Sequence, residues 1–176
     1  MSIRKAQGFA LIDLIFVCGV IGLLASIAIP RLVMAKQSAG AASAIGSMRA
    51  ISSGQLTFAL TCGAGFYAPT LSTLGTPPPG SREPFVGGGL GLSDTIAKSG
   101  YLIQMTAVPF AAAPASCNGV GAGLGGQGFS ASADPVGSVF PRFFATNANN
   151  LIYEHESTLF ALMPDVGEPP AGHLLR

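Results

Sequence analysis

Tryptophan is absent from this sequence, histidine occurs twice, and charged residues make up only 10%. With so few imidazoles there is little to activate a hydroxyl nucleophile, and no Ser/His/Asp or Cys/His set stands out. The nine Lys and Arg are scattered against eight Asp and Glu, for a net charge of +1. A nucleic-acid footprint needs clustered basic residues, so nucleic acid is not expected as a main partner. Three cysteines occur but no CxxC pair, which removes the usual zinc and dithiol redox spacings. The residues thus argue against an enzyme, and no cofactor or metal is expected.

What is abundant is apolar side chain: 49% of 176 residues, enough for one modest domain plus an apolar segment. The longest apolar run covers residues 9–29, about twenty residues, which crosses a bilayer as helix. Asp13 is the one ionisable group inside it. A mid-membrane Asp costs roughly 2.5–3.5 kcal/mol, whereas the Leu, Ile, Phe and Val of the run return about 4–8 kcal/mol together. Insertion therefore wins, and a carboxylate kept at that cost implies a function and a partner. A cleaved secretory signal is the first rival, but its apolar core would be about 7–15 residues and end at a small-x-small site. Here the run ends in Ile29-Pro30-Arg31. A buried helix of a soluble domain is the second rival, though such helices seldom run this far without a polar face. Arg4 and Lys5 favour a cytoplasmic N-terminus, against Arg31 and Lys36 on the far side.

These residues resemble the N-terminus of type IV pilins and of the pseudopilins of type II secretion. The features that match are the short basic leader (Arg4, Lys5), Gly8 followed by Phe9, an acid five residues into the apolar run, and Gly22 and Pro30 at the usual offsets. The likeness covers roughly residues 4–32. It implies a leader of residues 1–8, removed by a membrane prepilin peptidase between Gly8 and Phe9, with N-methylation of the new terminal Phe9. It also implies that Asp13 meets the terminal amine of a neighbouring subunit during filament assembly. The family usually has Glu there; Asp keeps the charge but is one methylene shorter, which bears on assembly efficiency.

On this reading the apolar helix spans residues 9–29, kinks near Gly22 and Pro30, and continues as an amphipathic helix over residues 30–61. The combined rod is about 75–80 Å if unbroken. Ile45, Met48, Ile51, Leu56 and Leu60 supply the larger apolar side chains of the second half, with alanines between them. Gly40, Gly46 and Gly54 each cost about 1 kcal/mol of helix propensity, so packing must hold this helix. Residues 62–176 form the globular part. Residues 62–91 are irregular, broken by Pro77-Pro78-Pro79-Gly80 and Gly87-Gly88-Gly89. Ser93 as cap, Asp94, Lys98 and Gly100 as stop predict a short helix. Strands are predicted over residues 101–105, 128–133, 142–146 and 151–154, the last two joined by an Asn-rich turn over residues 147–150. The tail from Glu156 onward is expected to be loosely held. The expected fold class is α+β: a long N-terminal helix against an antiparallel sheet of three to four strands, as in pilins.

Cys62 and Cys117 fall in the part expected outside the cytoplasm, where disulfides persist. A bridge closing about 55 residues is worth about 4 kcal/mol in the chain-entropy view; two free thiols are the alternative. Cys18 in the apolar run acts as a small apolar residue. Residues 121–126 satisfy GxGxxG, but not between a strand and a long helix, so a flexible loop is expected rather than a dinucleotide site. Glu154-His155-Glu156 reads as a solvated strand end, because alternation puts the carboxylates on one face and His155 on the other. Neither His173 nor the late acids Asp134, Asp165 and Glu168 make a dense ligand run for zinc or calcium.

The reading that follows is a structural subunit of a type IV pilus or pseudopilus. It starts in the bacterial inner membrane with its N-terminus cytoplasmic and ends in a periplasmic or cell-surface filament, a fimbrium of like copies. The expected partners are the peptidase, the inner-membrane assembly platform, membrane lipid and copies of itself. The alternative is a membrane-anchored minor pilin acting as an adhesion or DNA-uptake module.

Overall fold

A computed structural model of the protein describes residues 7–137 and 141–175, the first four of these as backbone only. Residues 1–6, with Arg4 and Lys5 of the expected leader, lie outside the described residues. The fold is α+β: one long N-terminal helix packed on a small antiparallel sheet of six strands. Helix α1 runs Gln7–Thr61, beginning two residues ahead of the expected start at Phe9, and continues through Pro30. The chain divides into two units, Met1–Ser38 and Ala39–Arg176, so the boundary falls inside α1.

In the second unit one row of buried positions along α1 and the residue after it runs Ala41, Ala44, Met48, Ile51, Gln55, Phe58 and Cys62, with Ser47, Ser52 and Ala59 buried beside it. The spacing along the row alternates three and four, the seam of a helix with one face against a core. Leu56 and Leu60, expected in that seam, are instead 47% and 76% exposed. At 100° per residue they fall off the stripe that Met48 and Ile51 begin. The position between Ile51 and Phe58 belongs to Gln55, which is fully buried.

The strands are β1 Thr95–Lys98, β2 Tyr101–Thr106, β3 Ser130–Pro135, β4 Phe143–Asn147, β5 Ile152–His155 and β6 His173–Leu174. Each pairs antiparallel with the next, in the order β1 to β6. Tyr101, Ile103 and Met105 alternate inward along β2, as period two requires. Ile96, Ile103, Ala133 and Phe144 stand opposite one another across four strands and face the core. Met105, Ala131, Thr146 and Ile152 make the parallel row. Ser52 of α1 reaches this row through a hydroxyl bond to Thr146 at 3.3 Å.

Two further expectations are corrected. The segment over residues 93–100 is a hairpin arm, not a helix. Ser99 and Gly100 both take positive φ (52° and 84°), the primed two-residue turn that joins antiparallel strands. Asp94 does act at a helix start, but at that of another element: its carboxylate accepts the Ser72 N–H and hydroxyl in the short helix α2, Leu71–Gly75. The tail is not loose along its whole length either. Residues 156–166 cross the second face of the sheet, where Leu159 and Met163 pack on Ala145 and Tyr153. His173–Leu174 then adds the sixth strand, with Leu175 N–H bonded to the Ile152 carbonyl at 2.8 Å. The Asn-rich turn appears as expected, with Asn150 at φ 59° and the Asn147 side chain accepting from the Asn149 N–H.

Candidate functional site

The first unit holds the candidate site, which is the apolar length of α1 itself. From residue 11 to 36 every side chain is exposed except half-buried Ala25. Fifteen large apolar side chains from Leu11 to Met34 stand open, between 40% and 71% exposed. Fully burying each would be worth about 1.5–3 kcal/mol, so partial exposure of the set to water costs on the order of 20 kcal/mol. That exceeds the whole stability of an ordinary domain, about 5–15 kcal/mol. Such a surface requires an apolar surrounding. The helix is long and apolar enough to cross a membrane.

Asp13 lies exposed on this helix and has no ion-pair partner among the described residues. Gly8 and Phe9, the expected cleavage junction, are within the helical backbone of α1; their side chains lie outside the described residues. Gly22 has no atom within 4 Å of a would-be Cβ, so nothing packs against it here. Ser26 satisfies its hydroxyl on the Leu23 carbonyl at 2.8 Å, which lets one polar side chain sit in an apolar surrounding. Cys18 is a free, exposed thiol.

In the second unit Cys62 and Cys117 form a disulfide, with Cα atoms 4.9 Å apart. The Cys117 N–H also donates to the Cys62 carbonyl at 3.0 Å. The bridge thus fastens the C-terminal end of α1 to the long connection between β2 and β3. Gln55 fastens the chain just beyond the helix. Its Oε1 accepts the Ala68 N–H at 2.8 Å, and its Nε2 donates to the Ala68 carbonyl at 2.9 Å and to Met105 Sδ at 3.1 Å. Nothing in the residue type signalled this role; the three-four spacing of the seam was the available sign.

The other motifs resolve into structure. Gly121, Gly123, Gly125 and Gly126 lie in the β2–β3 connection, where the Gly123 N–H donates to the Ala113 carbonyl and the Gly126 N–H to the Tyr67 carbonyl. A Cβ on Gly126 would sit 2.7 Å from both Ala107 Cβ and the Gly128 carbonyl, so close backbone approach explains the glycine. Glu154 pairs with Arg142 through both carboxylate oxygens, Oε2 at 2.6 Å from Nη2 and Oε1 on Nε. That hydrogen bonding holds Glu154 below the usual carboxylate range and Arg142 above its own. Arg142 also lies 5.2 Å over the Phe144 ring. His173 Nε2 is 4.0 Å from Glu154, while His155 turns to Ser157 instead. Strand β5 ends at His155, so Glu156 is past the alternation expected of it. Asp134 takes the Thr158 hydroxyl at 2.7 Å, and burial pushes its carboxyl up. Asp165 takes the Val108 N–H at 2.8 Å. Asp134 and Asp165 are therefore engaged separately, and among the described residues no three His, Cys, Asp or Glu gather as a metal site. Comparison with protein-family models, curated proteins and solved structures finds no match to this chain in any of the three.

Proposed function

We propose that the chain is a structural subunit of a type IV pilus or pseudopilus, held in the bacterial inner membrane before it joins a helical filament. The observation that carries this reading is the run of fifteen exposed large apolar side chains on α1. Lipid can cover them first and the helices of neighbouring copies afterwards. The resemblance over residues 4–32 supplies the rest. Cleavage after Gly8 by the prepilin peptidase frees an amine at Phe9, which is then methylated. Asp13 of an adjacent copy pairs with that amine, so that two charges neutralise each other where the dielectric is low. The Cys62–Cys117 bridge and the sheet supply a stable body outside the membrane, and no catalytic role is assigned to it.

N-terminal sequencing of protein from membranes and from sheared surface or periplasmic filaments tests the reading. The filament form should begin at Phe9, and material that begins at Met1 overturns it. Asp13→Ala should insert and be cleaved normally yet be missing from filaments. Normal incorporation of that variant removes the pairing step.

A further inference from the structure

Four asparagines occur in the chain, and only Asn118 is followed by glycine. Its carboxamide is a structural tie. Nδ2 donates to the carbonyls of Thr73 and Thr76, both at 3.0 Å, and Oδ1 accepts the Ser116 hydroxyl at 2.7 Å. Those bonds join the loop carrying Cys117 to the C-terminal end of α2. Ser116 is itself held by Val120, whose N–H donates to its hydroxyl at 3.0 Å. Gly119 has φ 99°, and no atom lies within 4 Å of where its Cβ would be. The backbone nitrogen after Asn118 is therefore unshielded by a side chain. An open groove lined by Pro69, Ser72, Thr76, Gly119 and Val120 brings water to the site.

We propose that Asn118–Gly119 is a site of spontaneous covalent modification, and that its conversion unfastens the disulfide loop from the C-terminal end of α2. The Gly119 nitrogen attacks Asn118 Cγ and forms a C–N bond. The Cγ–Nδ2 bond breaks, and the side-chain nitrogen leaves as ammonia with the proton from Gly119. Water then opens the cyclic imide at either carbonyl, giving aspartate or its β-linked isomer. The oxygens that result are acceptors facing two more acceptors, the Thr73 and Thr76 carbonyls. A donor tie becomes a repulsive contact, and the change is one-way. The Cys62–Cys117 bridge two atoms of chain away restrains the same loop, so reducing it loosens Asn118 and speeds the conversion.

The test uses the full-length protein in detergent micelles, incubated at mildly alkaline pH with the disulfide intact or reduced, with peptide mass spectrometry over time. Asn118 should gain the amide-to-acid mass while Asn147, Asn149 and Asn150 keep theirs, and faster in the reduced sample. Conversion at Asn118 no faster than at those three in both samples overturns the assignment. Asn118→Asp, compared with wild type and Asn118→Gln by urea unfolding, should raise the unfolding equilibrium constant about thirtyfold through the loss of two hydrogen bonds. An Asn118→Asp protein as stable as wild type overturns the structural consequence.

Discussion

Gln55 offers a decisive test of how the second unit is held together. It occupies a seam position of α1 where spacing calls for an apolar residue, so one view holds that leucine would stabilise the fold. The hydrogen bonds argue otherwise. Ala68 is fully buried, and both its N–H and its carbonyl are met by the Gln55 amide. Gln55→Leu leaves both backbone groups without that partner, at about 1–3 kcal/mol each. Burying a leucine returns about 1.5–2 kcal/mol. The expected balance is a loss of about 2 kcal/mol. For a unit of this size that lowers the melting temperature by about 5–10 °C. With no tryptophan in the chain, Tyr67, Tyr101 and Tyr153 report on this unit without interference from the apolar helix. Near-ultraviolet circular dichroism of full-length protein in micelles follows them, and hydrogen exchange at the Ala68 amide localises the effect. A Gln55→Leu protein that melts at or above wild type, with Ala68 still protected, would refute the reasoning.

Other outcomes can be read from the same melts. Gly46 has open space around a would-be Cβ, so Gly46→Ala should stabilise by about 1 kcal/mol through helix propensity. At Gly54 a Cβ would sit 2.6 Å from Val86 Cγ1 and 2.8 Å from the Phe85 carbonyl, so Gly54→Ala should lower the melting temperature, overpacking at about 1–3 kcal/mol exceeding the same propensity gain. Reducing Cys62–Cys117, which closes a separation of 55 residues, should cost about 4 kcal/mol in urea titrations run with and without reductant. The hydrogen bond from Arg142 lowers the Glu154 carboxyl, so its contribution is complete above the unfolded Glu value of about 4.3 and fades as pH falls through the lower folded value. The gap in melting temperature between wild type and Glu154→Gln should therefore close on acidification, and a gap that widens contradicts the sign.

Legibility in the sequence followed how local the deciding force is. Strand β2 announced itself because Tyr101, Ile103 and Met105 alternate, and the Asn147–Asn150 turn did so because its residues tolerate positive φ. The disulfide was reachable from compartment and count. Strand β1 was missed because Ser93, Asp94, Lys98 and Gly100 are honest helix-end residues; what overrides them is pairing with β2 through Ser99 and Gly100. Strand β6 has two residues and lies at an edge, too short to leave a periodic trace. Counting only apolar residues along α1 put Leu56 and Leu60 inward and passed over Gln55, whereas spacing alone points to it. In the first unit the apolar run and Asp13 were plain from composition, since nothing else in the unit competes with them.

The order of the strands carries a consequence for how the molecule is made. Every strand lies beside the one synthesised just before it, from β1 through β6. A chain emerging N-terminus first can therefore close β1–β2 and β4–β5 as hairpins when they appear, and each later strand finds its partner already made. The slower steps are then those that join far-apart stretches: docking the sheet onto α1, and oxidising Cys62 with a partner that is only synthesised after β2.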